Sequence, residues 1–210
     1  MLPLLLSFDA SMADKLIILL HGVGRTPADM APLGARIAAG LPGAQIAAVP
    51  AAHPYDLGPH GFQWFSVDGI SEDNRPGRIR AALPAFADAV SSLQHQYGVG
   101  PEDTTLVGFS QGAIMALAAC KDASPARHVV AVAGRFAPLP DHWDGRTAVS
   151  LVHGTMDGVM PAQHSRLAAA RLAALGADVQ LELVPRAVHM LGPGIQEAAL
   201  RVLQRLPGRY

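Results

Sequence analysis

Three residues of complementary chemistry, Ser110, Asp157 and His189, occur in that order, each just after a short apolar run. A hydroxyl is a weak nucleophile near neutral pH, so a serine needs a base to accept its proton, and the base needs a carboxylate to orient it. Ser110 lies in GFSQG, residues 108–112, between the apolar TTLV and the small-residue stretch QGAIMALAAC. That strand, turn and helix context is what a G-x-S-x-G nucleophile turn requires, because the glycines two places either side let the flanking strand and helix pass closely. Asp157 lies in HGTMDGVMP, after AVSLVH, and His189 lies after VQLELVP. All three side chains are thereby expected at strand ends, where they could carry out acyl transfer. Asp141, Asp144 and Asp178 lack such a setting, His164 falls inside a helix, His153 closes a strand as a packed residue, and the remaining histidines precede Ser110 or Asp157.

A second motif, HGVGRTP at residues 21–27, follows LIILL and admits two readings. Its glycines could cradle a cofactor's phosphates or bring backbone N–H groups to a reacting carbonyl oxygen. A dinucleotide fingerprint needs a third glycine where Pro27 stands and an acidic residue on the next strand, which ends in IAAVPAAH without one. No G-x-x-x-x-G-K-[ST] occurs either. Thr26, Pro27 and Asp29 instead form a helix start, with Thr26 as N-cap. The turn is therefore assigned to an oxyanion hole, built from the N–H of Val23 and the N–H of Gln111 directly after the nucleophile.

The elements that must position these groups are short Val/Ile/Leu-rich runs without polar alternation, as expected for a parallel sheet covered on both faces. Strands are expected at 16–20, 45–49, 104–108, 129–133, 148–153 and 179–184, and helices at 27–40, 77–97, 111–121, 161–175 and 194–206. This alternation predicts an α/β chain, a mostly parallel doubly wound sheet with helices on both faces and functional groups at the strands' carboxyl ends. One domain is expected over residues 1–210, with residues 2–7 an antiparallel edge strand or residues 1–12 a tail before a start at Met12. Residues 50–74 form a long aromatic loop containing Tyr55, Phe62, Trp64 and Phe65, and loops of that length are usually functional.

Composition narrows the classes further. Sixteen basic and 17 acidic residues without a run of either sign give a net charge of -1, so no nucleic-acid partner is expected. A single cysteine, Cys120, excludes an intrachain disulfide and fits a reducing cytoplasm. Cys120 lies ten residues beyond Ser110 and is expected to be buried, which disfavours a cysteine nucleophile. No Cys/His grouping has structural-zinc spacing, no apolar run is long enough for a membrane span, and the N-terminal MLPLLLSF lacks the basic lead of a signal peptide.

HGVG, QWF, GFSQGA, HGTMDGVMP and VH, in this order, resemble the phospholipase/carboxylesterase family of α/β hydrolases, including acyl-protein thioesterase-like enzymes and especially its short bacterial esterase branch. The resemblance spans Leu16 to the last helix. It implies a minimal α/β-hydrolase fold without a cap domain, hydrolysing carboxylic esters or thioesters of modest acyl chains without metal or organic cofactor. It supports Ser110, Asp157 and His189 as the triad and Val23 with Gln111 as the oxyanion hole, and it puts Trp64 and Phe65 near the acyl site. From composition alone the aromatic loop could equally be a satellite of the core. Two departures stand out. Arg25 replaces the family's usual Asp after HGxG and is expected to favour anionic substrates at the pocket mouth, and Val188 replaces a glycine before the histidine, which changes the shape of that loop. The alternative function is a ligand-binding module on the same fold without catalysis. Oligomeric state is left open, a homodimer included.

Overall fold

Successive side chains on a strand face opposite ways, so an unbroken apolar run needs a partner on each side. On strand β1 (Lys15–Leu20), Leu16, Ile18 and Leu20 enter one core while Ile17 and Leu19 enter another. The computed structural model describes residues 15–143 and 145–206. The expectations for residues 1–12, and the candidate Asp144, lie outside them.

Beyond β1 the chain forms β2 (Ala44–Val49), a short antiparallel pair β3 (His53–Pro54) and β4 (Phe62–Gln63), then β5 (Thr104–Phe109), β6 (His128–Val132), β7 (Ala148–Gly154) and β8 (Val179–Val184). The main sheet has the order β2-β1-β5-β6-β7-β8, and every pairing in it is parallel. One face is covered by helices α1 (Ala31–Gly40) and α5 (Pro193–Gln204), where Leu33, Ile37, Ala199 and Leu203 meet Ile17, Val107 and Val130. The other is covered by α2 (Arg75–Tyr97), α3 (Gln111–Asp122) and α4 (Gln163–Ala174), where Phe86, Val90, Met115 and Leu172 meet Leu16, Leu106 and Val129. These two layers match the α/β expectation, and each expected strand and helix is present to within a few residues.

Two local differences have physical causes. The segment expected as one helix from Pro27 opens with a 3-10 turn, Pro27–Met30, because the Asp29 carboxylate reaches back to accept from both Thr26 N–H and Thr26 Oγ1, each at 2.8 Å. Strand β8 is at the sheet edge and is only half-buried along its length, unlike the fully covered β5 and β6.

His128 opens β6 at the sheet's amino edge, buried and, among the described residues, with no hydrogen-bond partner for Nδ1. Burial pushes its pKa down to about 4, assisted by Arg127 and Lys15 and opposed by Asp178. The unfolded chain would bind a proton near pH 6.5 that the native ring refuses, so stability falls as pH drops from about 6.5 toward 4. Buried His21 and His153 shift the same way. Melting temperatures should therefore decline across that range, and His128→Asn should flatten the decline without abolishing it. Identical pH slopes for parent and variant would contradict this assignment.

Candidate active site

From β1 the chain crosses to β2 on one side and later returns to β5 on the other, which makes β1 and β5 neighbours at the point where the strand order reverses. Ligand crevices in open α/β sheets form at such points, outside the strands' carboxyl ends. The loop leaving β1 is HGVGR, and the loop leaving β5 contains Ser110.

Ser110 has φ 53° and ψ −114°, a conformation that a side-chain-bearing residue adopts only under constraint. The constraint is visible in the main chain. Ser110 N–H donates to Val132 O at 2.9 Å, and Ser110 O accepts from Ile114 N–H at 3.0 Å, which fastens the turn between β6 and the first coil of α3. A Cβ on Gly108 would lie 2.5 Å from Ala113 N, and one on Gly112 would overlap the Leu20 carbonyl oxygen. Both glycines are therefore required by close backbone approach.

The three candidate triad residues meet. His189 Nε2 lies 2.9 Å from Ser110 Oγ, and His189 Nδ1 lies 2.6 Å from Asp157 Oδ2. Because Asp157 Oδ1 accepts from Val159 N–H at 2.9 Å and Met160 N–H at 2.7 Å, the turn that carries the carboxylate also fixes its direction. Burial of Asp157 favours its neutral form, but these two N–H groups and His189 outweigh burial and hold its pKa below the ordinary value. The Asp157 and His189 loops are stitched together, with Thr155 N–H donating to Val184 O at 3.0 Å and Met156 N–H to Ala187 O at 2.9 Å. Gly154 has no room for a Cβ against the Ala187 carbonyl. Val188 does not take a positive φ in this loop; the left-handed residue is Arg186, at φ 58°.

The turn after β1 closes with Arg25 N–H donating to Gly22 O at 3.2 Å, and Gly24 at φ 69° supplies the positive φ that a tight turn of this kind needs at its third position. Val23 occupies the second position, whose N–H the turn leaves unused. A Cβ on Gly22 would lie 3.2 Å from Ser110 Cβ, so the turn runs directly against Ser110. Gln111 N–H is the first of α3, where no intrahelical acceptor exists.

Against this geometry, residues 8–204 match the family described as Phospholipase/Carboxylesterase. The chain belongs to that family. It is 40% identical over 201 residues to the esterase YpfH of Escherichia coli K12, covering 94% of this chain and 86% of that one. Among solved structures it is similar to esterase PE8, with TM-score 0.83 and 29% identity over 93% of this chain and 94% of that one. A Bacillus cereus carboxylesterase at 17% identity, with 93% and 90% coverage, shares the fold at TM-score 0.77.

In this phospholipase/carboxylesterase family member, a cleft of about 190 Å³ opens against His189, lined by Arg25, Asp29, Met30, Phe109 and Leu191 among others. Arg25 is exposed at its rim, 3.5 Å from Asp29. Trp64 and Phe65 are not among the residues lining this cleft, and both side chains are buried in the core. Trp64 packs edge-on against Phe86 and donates Nε1–H to His21 O at 2.9 Å. A larger groove of about 570 Å³, lined by Arg127, Arg146 and Asp178, is at the sheet's amino edge and contains no triad residue. Among the described residues no cluster of His, Cys, Asp or Glu could hold a metal ion, and no helix is long and apolar enough to cross a membrane.

Three contributors escaped the sequence reading. The Gln111 side chain accepts from Trp64 N–H at 2.8 Å and donates to Phe65 O at 2.7 Å, which ties the WF pair to the nucleophile turn. His21 is fully buried, with Nδ1 donating to Gly22 O at 2.8 Å and Nε2 accepting from Ala51 N–H at 3.0 Å, so it braces the turn after β1. The β3–β4 hairpin pairs with that same turn, Gly24 N–H donating to Phe62 O and Phe62 N–H to Arg25 O, each at 2.9 Å. The HG dipeptide is no signal for these contributors, since it stands at 21–22, 60–61 and 153–154 and His60 is exposed.

Proposed function

We propose that the protein is a serine esterase acting on carboxylic esters or thioesters of short to medium acyl chains through an acyl-enzyme. The observation that carries this reading is the unbroken line from Ser110 Oγ to His189 at 2.9 Å and from His189 to Asp157 at 2.6 Å. Ser110 Oγ attacks the carbonyl carbon as its proton passes to His189 Nε2. The carbonyl π electrons move onto oxygen, and Val23 N–H and Gln111 N–H donate hydrogen bonds to the oxyanion so formed. Each such donor is worth roughly 2.7 to 4 kcal/mol of transition-state stabilisation. The tetrahedral species then collapses, and the alcohol or thiol leaves with the proton from His189. Water, deprotonated by the same imidazole, releases the acid and restores Ser110. Asp157 keeps Nδ1 protonated and steadies the imidazolium at each transfer. No step calls for a metal or organic cofactor, and the buried Cys120 fits a cytoplasmic setting.

Trp64 and Phe65 serve the acyl site through their main chain, held by Gln111, and through Trp64's bond to the turn after β1. Arg25, cationic and exposed at the cleft rim, favours substrates whose leaving group carries negative charge. On Arg25→Ala, kcat/KM for a thioester with an anionic head group should fall about fivefold, and for a neutral ester of the same acyl chain much less, as expected of a solvent-exposed charge. Equal losses would reject this role. A series of nitrophenyl esters and matched thioesters tests the substrate class. Rates should peak at short to medium chains; a maximum at long chains would oppose the reading, and no turnover of any member would leave the ligand-binding alternative in its place.

A further inference from the structure

His153, at the end of β7, belongs to no step above, yet it touches the carboxylate that orients His189. Its ring is fully buried, and the side chain of Asp157 beside it is likewise inaccessible to solvent. Nε2 lies 2.7 Å from Met160 O and 3.3 Å from Asp157 Oδ2. Both neighbours are acceptors, so Nε2 carries the proton. Nδ1 faces Ser165 Oγ, on α4, at 2.7 Å, and burial lowers the ring's pKa. Burial thus disfavours the charged ring, and with the proton on Nε2 the Ser165 hydroxyl donates to Nδ1 and fixes the tautomer.

We propose that His153 is a positioning residue for the proposed triad: its single N–H, bonded to Met160 O with a longer arm to Asp157 Oδ2, locks the carboxylate and its supporting turn in the orientation that aims His189. The proposal rests on the serine-esterase reading. Asp157 Oδ1 is held by Val159 and Met160 N–H, and Oδ2 by His189, a residue that must itself move protons. Without His153, the only side chain among the described residues restraining Oδ2 would be the group that the carboxylate is meant to restrain. Met160 matters twice, since its N–H holds Oδ1 and its carbonyl is held by His153. The same ring thus secures the carboxylate and the turn that supplies its backbone donors. Ordinary core packing does not account for a ring whose proton points at the two acceptors of this one turn. The other ionisable groups facing the pair are His189, from the loop between β8 and α5, and His164 of α4.

The test compares the parent with His153→Phe, His153→Gln and Ser165→Ala on nitrophenyl butyrate, with Ser110→Ala as control. His153→Phe should lower kcat by about 10- to 100-fold, since small misplacements of catalytic groups have effects of that size. KM should stay within about twofold, as when an interaction specific to the transition state is lost. The acid limb of its kcat/KM profile should move to higher pH, because a carboxylate with one fewer donor draws the shared Nδ1–H more strongly and favours the imidazolium. His153→Gln, which can place an amide N–H near the same acceptors, should recover most of kcat and return the limb. Ser165→Ala, which frees the tautomer, should shift kcat and the limb in the same direction by less, and it decides the matter if His153→Phe does not fold. Unchanged kcat and pH limb in a folded His153→Phe, glutamine failing to rescue, or an unaltered Ser165→Ala where that variant decides, would overturn the proposal. If those occur while Ser110→Ala is inactive, only the role of His153 falls. If Ser110→Ala retains parental activity, the serine-esterase reading falls.

Discussion

Ser110→Ala is expected to lower kcat for nitrophenyl butyrate by about 10³-fold or more while the fold remains intact. The size follows from what the change removes. Alanine keeps the Cβ, so the constrained backbone at φ 53° is neither relieved nor worsened, and the main-chain bonds to Val132 and Ile114 do not involve the hydroxyl. The Oγ facing His189 at 2.9 Å is all that disappears. Some catalysis above the rate in water should survive, because the proposed oxyanion donors, Val23 and Gln111 N–H, would still stabilise an oxyanion formed by direct attack of water. Steady-state hydrolysis checks the first point and a melting curve the second. Parental turnover in a folded variant would remove Ser110 from the mechanism.

Gly112→Ala should give the largest loss of stability among the point changes considered. The added Cβ would overlap Leu20 O and lie 2.8 Å from His21 O. These are main-chain atoms at the end of β1, a strand held between β2 and β5 on either side, so they have little freedom to yield. The start of α3 must then move away from the turn after β1. A destabilisation of about 3 kcal/mol is expected from overpacking of this kind. For a chain of this length that corresponds to a fall of roughly 6 to 12 °C in Tm. The displacement also parts Gln111 N–H from Val23 N–H, so kcat should drop with stability. Gly77→Ala is the matched control. Its Cβ would meet nothing within 4 Å in a helical backbone, and it should stabilise by up to about 1 kcal/mol. Equal stability of Gly112→Ala and parent would refute the close-packing account of GFSQG.

The strands could be read directly because each is a dense run of β-branched and aliphatic residues buried on two faces, and six such runs interleaved with helices leave few alternatives to a parallel sheet. Ser110, Asp157 and His189 could be read because each combined a side chain of defined chemistry with a strand-end position. The two-residue strands β3 and β4 were not legible, since they are too short to show a period and are held by pairing with the turn after β1. Trp64 and Phe65 were recognised as important, but the direction of a loop side chain depends on what it packs against. Here that is Phe86 and the core of α2 and α3. The roles of His21, His153 and the Gln111 amide depend on partners 30, 12 and 47 positions away, Ala51, Ser165 and Trp64, and local sequence carries no trace of such pairings.

The most direct test of a relay joining Ser110, His189 and Asp157 is covalent capture of the parent and of His189→Ala by a fluorophosphonate, followed by peptide mass spectrometry. One adduct per chain on the peptide containing Ser110 is expected in the parent, with capture slowed by orders of magnitude in the variant. An adduct on a different residue, or equal capture without the imidazole, would contradict the account.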